Sequence, residues 1–325
     1  MSKKRVGVVV FLALLLATII TLIAYNHRHR VVSNKLQITA SFYPLAYFAE
    51  RVGGDKVRVI NITPAGAEPH DYEPTAQDIV NIEKSRLLIL DGNGLEPWAE
   101  SITKDLDSRN VDVVYAGEDV VYAGEKPTTR TITENGKTAT DPHTWLDPVL
   151  AANMVDNITA HLITIDAPNA LYYQSNAYEL KKQLTEVDED FKTRLADCKL
   201  DTFVTSHEAF GYLAARYNLK QVAIAGLTPE AEPSQKQLAE IAEVVKKNKI
   251  KYVFSENLLS PKLSNTLAQE TGAQVLQLDA IEGVSQDPLA ASSNYLIRLE
   301  SNAQLLQVAL ECTGANYDIT KTYHN

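Results

Sequence analysis

A chain of 325 residues is long enough for two domains with separate cores, and its composition is ordinary for a globular protein. The formal net charge of -10 excludes a basic nucleic-acid surface and suits a cation-binding one, although the acidic residues are spread along the chain and mark no site. The two cysteines, Cys198 and Cys312, lie far apart and form no C-x-x-C unit, which excludes thiolate zinc fingers and thioredoxin-like redox motifs.

Val6 to Tyr25 is twenty residues long and carries no charge. As a helix it would span about 30 Å, enough to cross a bilayer. Lys3, Lys4 and Arg5 precede it and hold the N-terminus in the cytoplasm, which places the body outside. Arg28 and Arg30 on the far flank weaken that bias without reversing it. The run is long for a signal-peptide core and no small-x-small cleavage site ends it, so an uncleaved membrane anchor is expected, with a cleaved export signal as the alternative. Outside the cytoplasm the two cysteines are free to pair, and closing so long a loop contributes up to about 5 kcal/mol in the chain-entropy model. Spacing alone does not choose between that bond and two buried thiols.

From Gln37 short apolar strands alternate with helical stretches. Strands are expected at Leu36–Ser41, Val57–Ile62, Leu87–Leu90 and Asp112–Tyr115. Helices are expected through Ala46–Val52, Thr75–Lys84 and Glu96–Leu106. V-V-Y-A-G-E at Val113–Glu118 recurs at Val120–Glu125 as a small tandem duplication. Lys126–Thr140, rich in Thr and Gly and without apolar periodicity, reads as an exposed loop. Leu150–Ile165 is helical. Beyond the break at Asp166-Ala167-Pro168-Asn169, a stripe of Tyr173, Ala177, Leu180, Leu184, Val187, Phe191 and Arg194/Leu195 predicts one helix of about 45 Å reaching towards Cys198. A second α/β pattern follows. Its strands are Thr202–Ser206, Gln221–Ala225, Tyr252–Ser255 and Gln274–Leu278; its helices are Ala209–Tyr217, Ser234–Lys247, Lys262–Thr271 and Ser293–Glu311, the last ending at Gly314. This pattern predicts an α/β protein of two similar lobes, each a mostly parallel sheet flanked by helices, joined by one long rigid helix. Residues 1–35 form the anchor or export signal and tether, 36–166 the first lobe, 167–197 the linking helix and 198–325 the second lobe. Ligands of such sheets bind at the carboxyl ends of the strands, here the cleft between lobes.

Asp141 to Pro148, D-P-H-T-W-L-D-P, sets His143 between two Asp-Pro steps that stiffen the backbone away from helix. An imidazole so held, with Asp141 or Asp147 in reach to fix its tautomer, is how a metal ligand is presented. His70 stands in the proline-bounded loop P-A-G-A-E-P-H-D-Y-E-P, and His207 directly follows the strand T-F-V-T-S. Each alone is more often an ordinary loop or helix-start residue. Three on the cleft-facing edge predict a shared cation site. His161 lies within a helix and is left out. The fourth ligand is expected from the second lobe, where L-D-A-I-E-G offers Asp279 and Glu282, and Glu256 follows the strand Y-V-F-S. Three imidazoles and a carboxylate suit Zn²⁺, whereas Mn²⁺ would fit better with more oxygens.

P-H-D-Y-E-P at Pro69–Pro74, D-P-H-T-W-L-D-P, S-H-E-A-F-G-Y at Ser206–Tyr212, G-L-T-P-E-A-E-P-S at Gly226–Ser234 and F-S-E at Phe254–Glu256 occur in one order. In these motifs the chain resembles the zinc/manganese-binding substrate-binding proteins of bacterial ABC importers, over almost everything after Leu36. The resemblance implies a metal bound between two lobes by His70, His143 and His207, with His at the third position as in zinc-type members. It leaves the fourth ligand between Asp279 and Glu282, favouring Glu282. Many zinc-type members carry a His-rich loop before the second ligand, but Lys126–Thr140 has no histidine. Many members are lipid-anchored through cysteine, for which Val6–Tyr25 would substitute.

The function so implied is capture of Zn²⁺, or alternatively Mn²⁺, outside the cytoplasmic membrane and delivery to a cognate ABC permease with its ATPase. A monomer without catalytic activity and without nucleic-acid partners is expected. A zinc hydrolase would also use three His and an open position, but no H-E-x-x-H helix occurs, Gly211 standing where the second His would be. A surface adhesin stabilised by metal is the remaining alternative. Trp145 is expected to pack under the His143 turn, and the linking helix to permit only a small motion between lobes.

Overall fold

Runs of β-branched and aliphatic residues become strands wherever both faces can be covered by helices. The computed structural model describes Thr18 and residues 35–122, 129–134, 137–229, 233–286 and 293–314. Val6–Tyr25, the expected anchor, lies outside these residues apart from Thr18. Among the described residues no helix is long and apolar enough to cross a membrane.

In the first lobe β1 (Leu36–Ala40), β2 (Val57–Asn61), β3 (Leu87–Leu90) and β4 (Asp112–Tyr115) form a sheet in the order β2-β1-β3-β4. β3 runs parallel to both neighbours. All four β3 residues, L-L-I-L, are buried, as a central parallel strand requires. α1 (Tyr43–Gly53), α2 (Ala76–Glu83) and α3 (Ala99–Thr103) connect these strands. A reciprocal cap between Thr75 and Asp78 starts α2. α3 begins later than the expected Glu96 because Pro97 biases Glu96 away from helix. The Glu96 carboxylate instead turns back to accept Asp91 N at 2.8 Å and Gly92 N at 3.1 Å.

The expected loop Lys126–Thr140 contains a hairpin, β5 (Thr131–Glu134) and β6 (Lys137–Thr140), with Glu134 paired to Lys137. Its alternation is threonine with other residues and so lacks an apolar signal. The Thr133 and Thr138 hydroxyls bond across it at 2.9 Å.

α4 (Pro148–Ile165) starts on Asp147, whose carboxylate accepts Val149 N and Leu150 N, with Pro148 in the first turn. α5 (Ala170–Arg194) carries the expected stripe, with Tyr173, Ala177, Leu180, Leu184, Val187 and Phe191 buried. Its 25 residues span about 37 Å, shorter than expected, and the chain turns through a left-handed Asp197 (φ 51°) before Cys198. α5 packs on α1, α4 and the final helix. Asn176 donates to Val52 O at 2.9 Å, and Asp188 takes a two-pronged bond from Arg216 at 2.8 and 2.9 Å. The linking helix is therefore bolted to both halves.

In the second lobe β7 (Thr202–Thr205), β8 (Lys220–Ala223), β9 (Tyr252–Ser255) and β10 (Gln274–Gln277) align as β10-β9-β7-β8, every neighbouring pair parallel. Read from the other edge this is the order of the first sheet. α6 (Gly211–Arg216), α7 (Gln235–Asn248), α8 (Lys262–Thr271) and α9 (Tyr295–Ala309) complete it. Val204, Ile241, Val245, Val253 and Leu267 are the heart of its core, as Ile82, Leu88, Leu90 and Trp98 are in the first lobe. Each such side chain contributes about 1.5–3 kcal/mol by leaving water. α9 ends before Gly314, whose place is instead against the Thr193 and Arg194 carbonyls, where a Cβ would lie 2.1 Å from Thr193 O. Cys198 and Cys312 are joined as a disulfide, answering the question their spacing left open.

Candidate metal centre

Four carboxyl-end segments converge. After β2 the chain runs into a loop whose Gly66 adopts a left-handed φ of 83° and donates to Val284 O of the second lobe at 2.8 Å. His70 follows in a single turn, Pro69–Asp71, its backbone N–H held by Glu68 Oε2 at 3.0 Å. The hairpin β5–β6 delivers Asp141, whose Oδ1 accepts both His143 N at 3.1 Å and His143 Nδ1 at 2.8 Å. That bond fixes the ring and leaves Nε2 facing the cleft. Trp145 is fully buried with its ring centroid 5.1 Å from that of His143, and donates from Nε1 to Ala280 O at 2.8 Å. It thus packs under the turn and also fastens the segment that carries Glu282. His207, two residues beyond β7, receives the Glu256 carboxylate from the end of β9. Glu256 Oε1 accepts His207 N at 3.1 Å, and Oε2 stands 2.7 Å from Nδ1 as an ion-pair contact, not an aligned hydrogen bond.

His70, His143, His207 and Glu282 each present one donor atom, all within 4.8 Å of one another. His143 Nε2 lies 3.3 Å from His70 Nε2 and 3.3 Å from His207 Nε2. Glu282 Oε1 lies 3.1 Å from His207, 3.3 Å from His143 and 3.7 Å from His70 at their Nε2 atoms. A tetrahedral ion with ligand bonds of about 2.0–2.1 Å requires edges of about 3.3–3.4 Å between its ligands. The His143 and His207 side chains are wholly buried, whereas His70 keeps 7% of its surface exposed and so marks the mouth.

Asp279, the other expected carboxylate, is turned away. It takes two N–H bonds from Arg298 at 2.6 and 2.8 Å and a third from Ile281 N at 2.8 Å. These hold Ile281 at a left-handed φ of 58°, a costly conformation for a β-branched residue. Through that turn Glu282, three residues on, swings into the cleft while Asp279 stays behind as its brace. His161 lies apart, its Nδ1 2.8 Å from Asp112 Oδ2.

Charge completes the picture. Burial alone would push the His207 imidazole down, but Glu256 and Glu282 outweigh it and hold it well above the usual range. His143 is likewise raised, burial being opposed by Asp141 and Glu282. For His70 burial outweighs the support of Glu282 and lowers it. Burial would raise Glu282, yet the surrounding imidazoles, His207 foremost, bring it well below the carboxylate range. Empty, this constellation shares protons; a cation entering it displaces them.

Two supporting groups escaped the sequence reading in these roles. Glu256, a ligand candidate by sequence, props His207 instead. Glu68 was not singled out. Burial and then the neighbouring Glu282 push its carboxyl up to about 9, and its Oε1 is buried without a partner beside the His70 turn. For Glu256, the sequence signal was its place at a strand end, a position shared by bracing and ligating groups alike.

Residues 38–309 match the family described as ZnuA, zinc-uptake complex component A, periplasmic. The high-affinity zinc uptake system protein ZnuA of Bacillus subtilis is 34% identical over 286 residues, covering 85% of this chain and 88% of that protein. The zinc-binding protein AdcA of Streptococcus pyogenes is 34% identical over 312 residues; the match covers 91% of this chain but 61% of that longer protein. The crystal structure of the Zn(II)-bound ZnuA-like domain of Streptococcus pneumoniae AdcA superposes with a TM-score of 0.72 at 35% identity, covering 85% of this chain and 99% of that one. With its fold, its order of motifs and a family match over most of its length, the chain belongs to the ZnuA family of periplasmic zinc-uptake components.

Proposed function

We propose that this protein captures Zn²⁺ outside the cytoplasmic membrane, at His70, His143, His207 and Glu282, and delivers it to a membrane permease driven by an ATPase. The observation that carries this reading is that five of the six ligand-to-ligand distances are 3.1–3.7 Å, around the tetrahedral edge for zinc, with His70 and His207 also within 4.8 Å of each other. Three nitrogens and one oxygen favour zinc over manganese, which prefers more oxygen donors. Four protein groups fill a four-coordinate shell, so no open position remains for an activated water; capture, and not hydrolysis, is the chemistry supported. The relatives' zinc-binding names support the same cargo. Anchoring through the uncharged Val6–Tyr25 run and action as a monomer complete the proposal, with residues 36–166 and 198–325 as the lobes and 167–197 as the link between them.

Protein purified without added metal and assayed by elemental analysis is expected to hold about one zinc per chain, and His143→Ala is expected to lose tight binding. Manganese in place of zinc, or full affinity retained by His143→Ala, would refute the assignment. Membrane fractionation of the full chain tests the anchor, which fails if the protein is found free in the medium.

A further inference from the structure

Arg130 lies just ahead of β5, and its side chain is a third exposed. Its Nε donates to Asp141 Oδ2 at 3.1 Å, the oxygen of that carboxylate not used by His143. Its Nη2 donates to Glu208 Oε1 at 3.2 Å. Asp141 belongs to the first lobe and braces His143; Glu208 belongs to the second and follows His207 in the chain. One guanidinium therefore spans the cleft, holding the support of His143 in one lobe and the residue next to His207 in the other. The fork of a guanidinium permits this, whereas an ammonium is a single point charge.

The surroundings are shaped around that group. Arg130 N donates to the Tyr212 hydroxyl at 2.9 Å, and the same hydroxyl donates to Asp141 O at 3.1 Å. The guanidinium carbon stands 5.9 Å from the centre of the Tyr212 ring. It also lies directly over Gly211, where a Cβ would come within 2.3 Å of Nη2. The position after A-F in S-H-E-A-F-G-Y is therefore kept open for the guanidinium. Asp141 is wholly buried, so its charge requires an opposite one.

We propose that Arg130 is a positioning residue that latches the two lobes over the bound ion. Its bond to Asp141 lies within one lobe and persists when the cleft opens. Its bond to Glu208 crosses the cleft and breaks. The latch therefore acts on release and leaves capture nearly unchanged. This rests on the zinc-capture reading and adds to it the residue that sets how long the ion stays.

The test is zinc release, followed by stopped flow as a chromogenic chelator takes the ion from loaded full-chain protein, beside the rate of zinc uptake by apo protein. Glu208→Gln removes the cross-lobe arm of Arg130 and leaves its Asp141 arm, and is expected to speed release about two- to fivefold, up to the limit for a partly exposed ion pair, with uptake within about 1.5-fold of wild type. Arg130→Gln removes both arms and is expected to speed release about 10- to 100-fold, as loss of a ligand's support does. With Co²⁺ as the bound ion, Arg130→Gln should also shift the visible d–d bands, because His143 loses its orientation, while Glu208→Gln should not. Arg130→Lys should fall between wild type and Arg130→Gln. Added NaCl should speed wild-type release more than that of Glu208→Gln. Glu208→Gln changes one partly exposed group and tests the latch even if Arg130→Gln does not fold. Wild-type release rates in Glu208→Gln overturn the latch while leaving zinc capture standing. A wild-type protein that binds no zinc overturns both.

Discussion

Exchanging the two carboxylates of L-D-A-I-E-G for their amides separates ligand from brace. Glu282→Gln keeps shape and removes the only anionic donor in the four-atom cluster. Zinc bound by four ligands in small structural sites is held by about 10–16 kcal/mol, so one ligand is worth about 2.5–4 kcal/mol, or about 100- to 1,000-fold in affinity. Asp279→Asn leaves that donor in place. It disturbs the two Arg298 bonds and the bond to Ile281 N, and leaves a largely but not fully buried guanidinium without its counter-charge. That loss costs about 1.5–3 kcal/mol of folding stability, with an effect on zinc of about 10-fold as Glu282 loosens. Competition titration against a chelator of known affinity gives the first quantity for each variant, and urea unfolding of the apo proteins gives the second. Glu282→Gln should unfold close to wild type while binding poorly; Asp279→Asn should show the reverse emphasis. If Asp279→Asn costs more zinc affinity than Glu282→Gln, the assignment of ligand and brace is wrong.

Two further outcomes follow from charge and covalent structure. In the apo protein the raised His207 contributes stability that is full below its unfolded pKa, about 6.5, and is lost as pH rises through its folded value. The depressed Glu282 contributes above about 4.3, and that contribution is lost as pH falls through its own folded value. Zinc competes with the imidazole protons, so the gain in Tm on adding zinc should grow from pH 5.5 to pH 8; a gain that shrinks would contradict a His-bound ion. Replacing Cys198 and Cys312 by serine opens a loop of 114 residues. It should cost about 2–5 kcal/mol in urea unfolding with zinc affinity unchanged, since the bond lies away from the four donors; a large loss of affinity would show that the far end of α5 controls the cleft.

The pattern of buried positions was readable where it repeated. The stripe from Tyr173 to Phe191 and the strand L-L-I-L carry their periods in plain view, and His70, His143 and His207 stand at strand ends stiffened by proline or closed by a tight turn. What escaped depended on contacts between distant segments. The hairpin β5–β6 alternates threonine with other residues, so it carries no apolar period to mark it as strand. The choice between Asp279 and Glu282 turns on the left-handed Ile281 and on Arg298, nineteen residues from Asp279 in sequence. Glu256 and Arg130 act by holding other side chains, and their neighbours in sequence do not indicate which ones.

The four donors are widely and rather evenly separated in the chain, by 73 residues from His70 to His143, 64 from there to His207 and 75 more to Glu282. Bringing them within one coordination shell closes three long loops, which an unfolded chain does at large entropic cost. A nascent chain shorter than 282 residues lacks a donor altogether, and a complete but unfolded one holds them far apart. Ion binding therefore stabilises the finished fold and nothing before it, so bound metal adds its full free energy to native stability. Occupancy by the ion is thereby a readout of completed folding, and a chain that fails to finish carries no cargo.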